Sequence, residues 1–177
     1  MPNHRIRAEW MGQTVETLED LLRPGLRAVC VGINPSPVSV AAGHYYQGRA
    51  GQKFFERLRS VGLIPDGEGY EDDLAFSEGV GFTDIVKRPT PSAKGITPEE
   101  YEHGKQLLAG KLTERGPEIM IFTFKKTAEM LFGKFAGNGF VDGLHLAHSE
   151  VFIMSGPYAD AVSASATLQI LAERLLS

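Results

Sequence analysis

A single cysteine, Cys30, stands in a chain of 177 residues. That scarcity excludes an internal disulfide and any site built on clustered thiolates. Cys30 lies inside an apolar run and reads as a small core residue. No apolar stretch approaches the length of a membrane span, and the opening Met1-Pro2-Asn3-His4-Arg5-Ile6-Arg7 lacks the hydrophobic segment of a secretory leader. A soluble cytoplasmic protein, acting as a monomer away from membranes, is the expectation. Repeats, low-complexity tracts and linkers are also missing, which favours one domain over residues 1–177, with 42% hydrophobic residues for its core. Excess positive charge is absent too. The net charge is -4, against the balance expected where affinity comes from neutralising phosphates.

Only a docking face need be positive, however, and the cations are grouped. Arg49, Lys53, Arg57 and Arg59 form one group, Lys87, Arg88 and Lys94 a second, and Lys125 and Lys126 a third. The acids gather elsewhere, at 16–20, 66–73 and 99–102. Ordinary solvated faces would look the same, but each basic group follows a predicted strand, and ligands bind beyond the strand ends of a parallel sheet. A local basic rim on an acidic protein is expected.

The pattern of elements predicts an α/β protein with a central, mainly parallel sheet and helices on both faces. Residues 14–22 read as a helix capped by Thr14. Strands are expected over 28–31, 81–86, 118–124 and 151–154, the third continuous in apolar residues as a central parallel strand should be. Helices are expected over 53–61, with Phe54, Phe55, Leu58 and Val61 on one face, over 126–132, and over 164–176, with Leu168, Leu171 and Leu175 in one stripe. Thr97-Pro98-Glu99-Glu100 supplies an N-cap, a first-turn proline and a capping-box glutamate for a helix reaching about residue 114, where Gly116-Pro117 stops it. Residues 62–78 read as a partly irregular connection and 137–143 as a glycine-rich turn region.

The most informative stretch is Val29-Cys30-Val31-Gly32-Ile33-Asn34-Pro35-Ser36-Pro37, followed by Gly43-His44-Tyr45-Tyr46. An apolar run ends abruptly in a glycine, a carboxamide and two prolines, as when a buried strand delivers one polar side chain to the crevice beyond its end. Pro35 and Pro37 stiffen the loop. Two roles are open to Asn34: a placed polar group facing a ligand, or an Asx-turn bonded to its own backbone.

Gly32-Ile33-Asn34-Pro35, Gly43-His44-Tyr45-Tyr46, Gln52-Lys53-Phe54-Phe55 and Gly79-Val80-Gly81-Phe82-Thr83-Asp84-Ile85-Val86-Lys87-Arg88-Pro89-Thr90 occur in the order of motifs in one known family. Together they resemble the uracil-DNA glycosylase superfamily, specifically its mismatch-specific branch of bacterial mismatch uracil glycosylases and thymine-DNA glycosylases. The resemblance implies a three-layer sandwich and hydrolysis of the N-glycosidic bond of uracil in DNA, including mismatched U·G, in base-excision repair. DNA would be the partner, and no metal or cofactor is required. Asn34 takes the place of the branch's water-positioning asparagine, Tyr46 that of the aromatic stacking on the flipped pyrimidine, and Ile33 would recognise the base through its backbone. His44 suits a structural or phosphate-directed role.

An amide orients water but is a poor base. Asp84 falls where better-known members carry a non-acid, and a carboxylate there could take the water's proton; it could also cap a turn or pair with Lys87 or Arg88. The branch's second motif is altered. Ser155-Gly156-Pro157-Tyr158 keeps small, turn-forming residues but lacks the usual asparagine. Ser155 is a candidate for holding substrate or a phosphate, and Tyr158 is the one bulky candidate for a wedge replacing the flipped base. Lys87, Arg88 and Lys125, with Gly156, Pro157 and Tyr158, are the candidate DNA contacts. Two other readings remain: a catalytically weak DNA-damage-binding protein of the same fold, and a small nucleoside hydrolase.

Overall fold

The chain enters through a hairpin, β1 (Arg5–Trp10) paired antiparallel with β2 (Gln13–Leu18). Met11 and Gly12 turn the corner, both with positive φ (49° and 81°), as a two-residue turn matched to strand twist requires. This corrects the helix expected over 14–22. Thr14 sits opposite Glu9 and donates a hydrogen bond to it at 2.5 Å instead of capping a helix, and Glu16 faces Arg7. Such cross-strand pairs, with β-branched Thr14, Val15 and Thr17, favour the strand. The computed structural model describes residues 3–177; Met1 and Pro2, which opened the stretch read for a leader, lie outside the described residues.

Next come β3 (Ala28–Gly32), α1 (Pro37–Ala42), α2 (Arg49–Ser60), α3 (Glu71–Ser77) and β4 (Val80–Asp84). They are followed by α4 (Pro98–Arg115), β5 (Ile119–Phe122), α5 (Lys125–Phe132), β6 (Gly139–Leu146), β7 (Ser149–Ile153) and α6 (Ala161–Leu176). The sheet order is β4-β3-β5-β7-β6, parallel except for β6 at the edge. Alternation along the strands divides the core. Ala28 and Cys30 pack with Phe55 and Leu58 of α2 and with Leu168 and Leu171 of α6. Val29 and Val31 point the other way, onto Leu108 and Leu112 of α4 and Ala128 of α5. The result is the expected α/β sandwich. Among the described residues no helix is long and apolar enough to cross a membrane.

Local signals explain most boundaries. The capping box of α4 is formed, with Thr97 accepting from the Glu100 amide and Glu100 from the Thr97 amide. Gly116, with φ 42°, ends that helix. Three departures are informative. Ser36 caps α1 with Pro37 in its first turn, so part of the stiff loop is helical. The connection over 62–78 contains α3, whose first turn carries Glu71, Asp72 and Asp73, favourable at a helix N-terminus. Residues 137–143 lead into β6, where β7 offers a partner and a register shift between Phe140 and His145 absorbs the glycines.

Helix α2 begins four residues earlier than expected and includes Gly51. A Cβ there would lie 2.3 Å from the Tyr46 carbonyl. Burying Phe54, Phe55 and Leu58 contributes roughly 1.5–3 kcal/mol each, which outweighs the ~1 kcal/mol cost of one helical glycine.

Candidate active site

The parallel strands end on one side, and a cavity of about 470 Å³ opens there. Each strand end reaches it: Asn34 beyond β3, Asp84 closing β4, Thr123 beyond β5, and Met154 and Ser155 beyond β7. Crevices of this kind are where open α/β sheets bind ligands.

Asn34 is held by its amide nitrogen. Nδ2 donates to the Arg88 carbonyl at 2.9 Å and to Thr90 Oγ1 at 2.7 Å. A carbonyl can only accept, and the Thr90 hydroxyl already donates its one proton to the Ser92 carbonyl at 2.8 Å. Both partners therefore demand the NH₂ group and turn Oδ1 away from themselves. Asn34 is thus not closed on its own backbone; it presents an oriented acceptor at the wall of the cavity.

Asp84 lines the same cavity, is 3% exposed, and has no hydrogen-bond partner for Oδ1. Burial pushes its carboxyl up to about 7; Lys87 draws it down and Asp20 opposes that effect. The ion pairs that might have claimed it are formed elsewhere. The Lys87 ammonium binds Asp20, and Arg88 binds Glu100 through Nε at 2.7 Å and Nη2 at 2.8 Å. A carboxyl pushed by burial toward neutrality, lining the same cavity as an oriented amide, is suited to take a proton from water.

Tyr46 is half-buried with φ 57°, and its ring meets Phe54 edge-on at 5.1 Å and Phe82 at 5.8 Å. Its buried hydroxyl also lacks a partner. That hydroxyl and Asp84 Oδ1 converge on the space over Gly32, 3.2 and 2.3 Å from where a Cβ would stand. Tyr45 is unavailable for stacking: it is 1% exposed and donates its hydroxyl proton to the Glu19 carbonyl at 2.9 Å. Phe124, at the N-cap of α5, is 37% exposed and lines the cavity. Ile33 lines it too, its carbonyl engaged by the Val86 amide at 2.8 Å.

Beyond β7, Arg57 clamps the altered motif, its Nη1 donating to the carbonyls of Ser155 at 2.6 Å and Gly156 at 2.8 Å. Ser155 is buried and Pro157 lines the cavity. Tyr158 projects, 82% exposed, with Lys53 Nζ 5.1 Å from its ring centre.

The expected basic rim is partly redrawn. Arg49 and Lys126 are exposed and line the cavity mouth. Lys87 is buried in its ion pair with Asp20, which Lys111 also approaches at 2.5 Å, so it faces inward. The Arg88 guanidinium ties the following loop to α4 through Glu100 and the Gly95 carbonyl, and its own carbonyl, rather than its charge, reaches Asn34. Lys125 is half-buried, 5.2 Å over the Phe135 ring.

The roles of Thr90 and Phe124 escaped the sequence reading, and Arg57, expected only as part of the basic rim, instead binds the carbonyls of Ser155 and Gly156. Thr90 stood in a quoted motif, but its role depends on a hydroxyl direction visible only once Ser92 and Asn34 are placed. The cavity lining includes one carboxylate, Asp84, and no histidine or cysteine, so it offers no metal ligand set. A profile of the Uracil DNA glycosylase superfamily matches residues 19–166, from before β3 to within α6.

Proposed function

The chain belongs to the Uracil DNA glycosylase superfamily, and we propose that it is a monofunctional uracil-DNA glycosylase of base-excision repair that acts by base flipping and water attack. Membership supports a glycosylase-type hydrolase in general. What supports the finer reading is Asp84: a buried carboxyl at a strand end, pushed up to about 7, whose Oδ1 has no hydrogen-bond partner and which lines the same cavity as Asn34.

In this mechanism the extruded uracil enters the cavity against Tyr46, with Phe124 as a second aromatic wall. Water rests on Asn34 Oδ1 and the Asp84 carboxylate. As its oxygen bonds to the anomeric carbon, Asp84 accepts the proton, and the C–N bond breaks with its electron pair leaving on uracil. Backbone N–H groups near the base carbonyls stabilise that anion. The products are free uracil and an abasic site. Ser155 with the Gly156-Pro157 turn, set by Arg57, would hold the strand, and Tyr158 would fill the gap in the duplex left by the flipped base. Arg49 and Lys126 would meet phosphates.

The test uses labelled oligonucleotides carrying uracil in single strands, U·A and U·G pairs, under single-turnover conditions, with alkaline cleavage of abasic sites. Release from U·G duplex, lost in Asn34→Ala, is the expected result. No release from any of these substrates would sink the reading.

A further inference from the structure

Outside the cavity, four titratable side chains from three segments meet in one cluster, three of them buried and Asp73 partly exposed. His4 precedes β1, His44 lies between α1 and α2, and Asp72 and Asp73 open α3. His4 Nε2 is 2.6 Å from Asp73 Oδ1, and His44 Nδ1 is 2.9 Å from Asp72 Oδ1 and 3.8 Å from Asp73 Oδ2. One donor atom from each residue lies within 4.8 Å of all the others. Exposure is 7% for His4, 2% for His44 and 0% for Asp72. None of the ion pairs made by Asp72 or Asp73 is with a lysine or arginine among the described residues.

We propose that His4, His44, Asp72 and Asp73 form a binding site for one divalent transition-metal ion, with zinc the best chemical match. Two imidazoles and two carboxylates are a set zinc takes tetrahedrally, at roughly 2.0–2.2 Å per bond. The surroundings fit a ligating role. If the metal takes His4 Nε2, the ring proton moves to Nδ1, where Glu19 Oε1 stands 3.5 Å away, the carboxylate–histidine–metal arrangement that orients ligating rings. Tyr70 stacks on the His44 ring at 3.5 Å with 9° between planes, fixing its direction. Buried Asp72 and its half-buried neighbour Asp73, which among the described residues make no ion pair with a lysine or arginine, gain from a bound cation.

The site would brace the cavity from behind. Asp72 Oδ2 accepts from the Tyr45 amide at 2.8 Å, and the His4 amide donates to the Gly43 carbonyl at 2.9 Å. An ion here would lock the N-terminal segment, α3 and the Tyr45-Tyr46 strap together.

The experiment uses the untagged full chain, treated with chelator, desalted and titrated with zinc sulfate by calorimetry, with metal content measured after dialysis. One zinc per chain at micromolar or tighter affinity is expected, with a rise in Tm on loading. His4→Gln and Asp73→Asn should each weaken binding at least roughly tenfold, and Glu19→Gln by on the order of tenfold. His4 and Asp73 lie nearest the surface, so these variants decide the matter even where His44 or Asp72 variants do not fold. Substoichiometric zinc at micromolar free metal, or full binding retained in both His4→Gln and Asp73→Asn, would overturn the proposal. The readout is metal content, so it stands or falls separately from uracil release.

Discussion

Gly32 faces Asp84 in the β3–β4 register, and a methyl group on Gly32 would lie 2.3 Å from Asp84 Oδ1. No real contact is that short, so the strand tolerates the carboxylate there only because residue 32 has no side chain. Gly32→Ala should displace Asp84, and Tyr46 with it, and lower single-turnover uracil release on the order of 10²-fold or more, the scale of a lost general base. Release within threefold of wild type, in a variant that unfolds cooperatively, would disconnect Asp84 from the chemistry.

Asp84 itself should trade stability for activity. Its folded-state value of about 7 lies above the ordinary 3.8, so between these values the folded protein keeps a proton that the unfolded chain releases. The contribution to stability is therefore full below pH ~4 and lost as pH rises toward 7. Asp84→Asn should gain Tm relative to wild type from pH 4 to pH 8 while losing roughly 10²–10⁴-fold in excision rate. Wild-type excision should rise with pH and level off above about 7, and the variant should lack that rise. A variant no more stable at pH 8 than at pH 4, relative to wild type, would contradict the buried-charge account.

The legibility of this site followed how local its physics is. Strand ends announced by a glycine and a polar residue, such as Gly32 before Asn34, were readable because burial and termination are written in adjacent residues. The capping box at Thr97 and Glu100 was readable for the same reason. Residues 14–22 misled because Val15, Leu18 and Leu22 mimic helical spacing, whereas the partners that make the segment a strand, Arg7 and Glu9, lie in a preceding stretch. Lys87 and Arg88 were visible as charges, but Asp20 and Glu100, which occupy them, are distant in sequence. The His4, His44, Asp72 and Asp73 cluster has no spacing signal at all, since folding alone brings its three segments together.

Thr90 sets the Asn34 amide by accepting from it while donating to Ser92. Thr90→Val removes that acceptor and frees the amide to rotate. One neutral hydrogen bond is worth about 0.5–1.5 kcal/mol, so excision should fall roughly two- to tenfold. Thr90→Ser keeps the hydroxyl and should stay near wild type. Equal losses in both variants would assign the effect to the methyl group and its packing.

Arg49 and Lys126 stand exposed at the cavity mouth, whereas Lys87 and Arg88 are engaged by Asp20 and Glu100. With a net charge of -4, the duplex affinity that the proposed function requires would come from a few locally placed cations. Each one that neutralises a phosphate contributes roughly 0.9 to the slope of log affinity against log salt. Arg49→Gln and Lys126→Gln should therefore each flatten the slope by about that amount. Lys87→Gln should leave the slope intact and lower Tm instead, because it strands Asp20 with one fewer partner. If Lys87→Gln flattened the slope as much as Lys126→Gln, the Asp20 ion pair would have to open on DNA, and the buried lysine would return to the list of phosphate contacts.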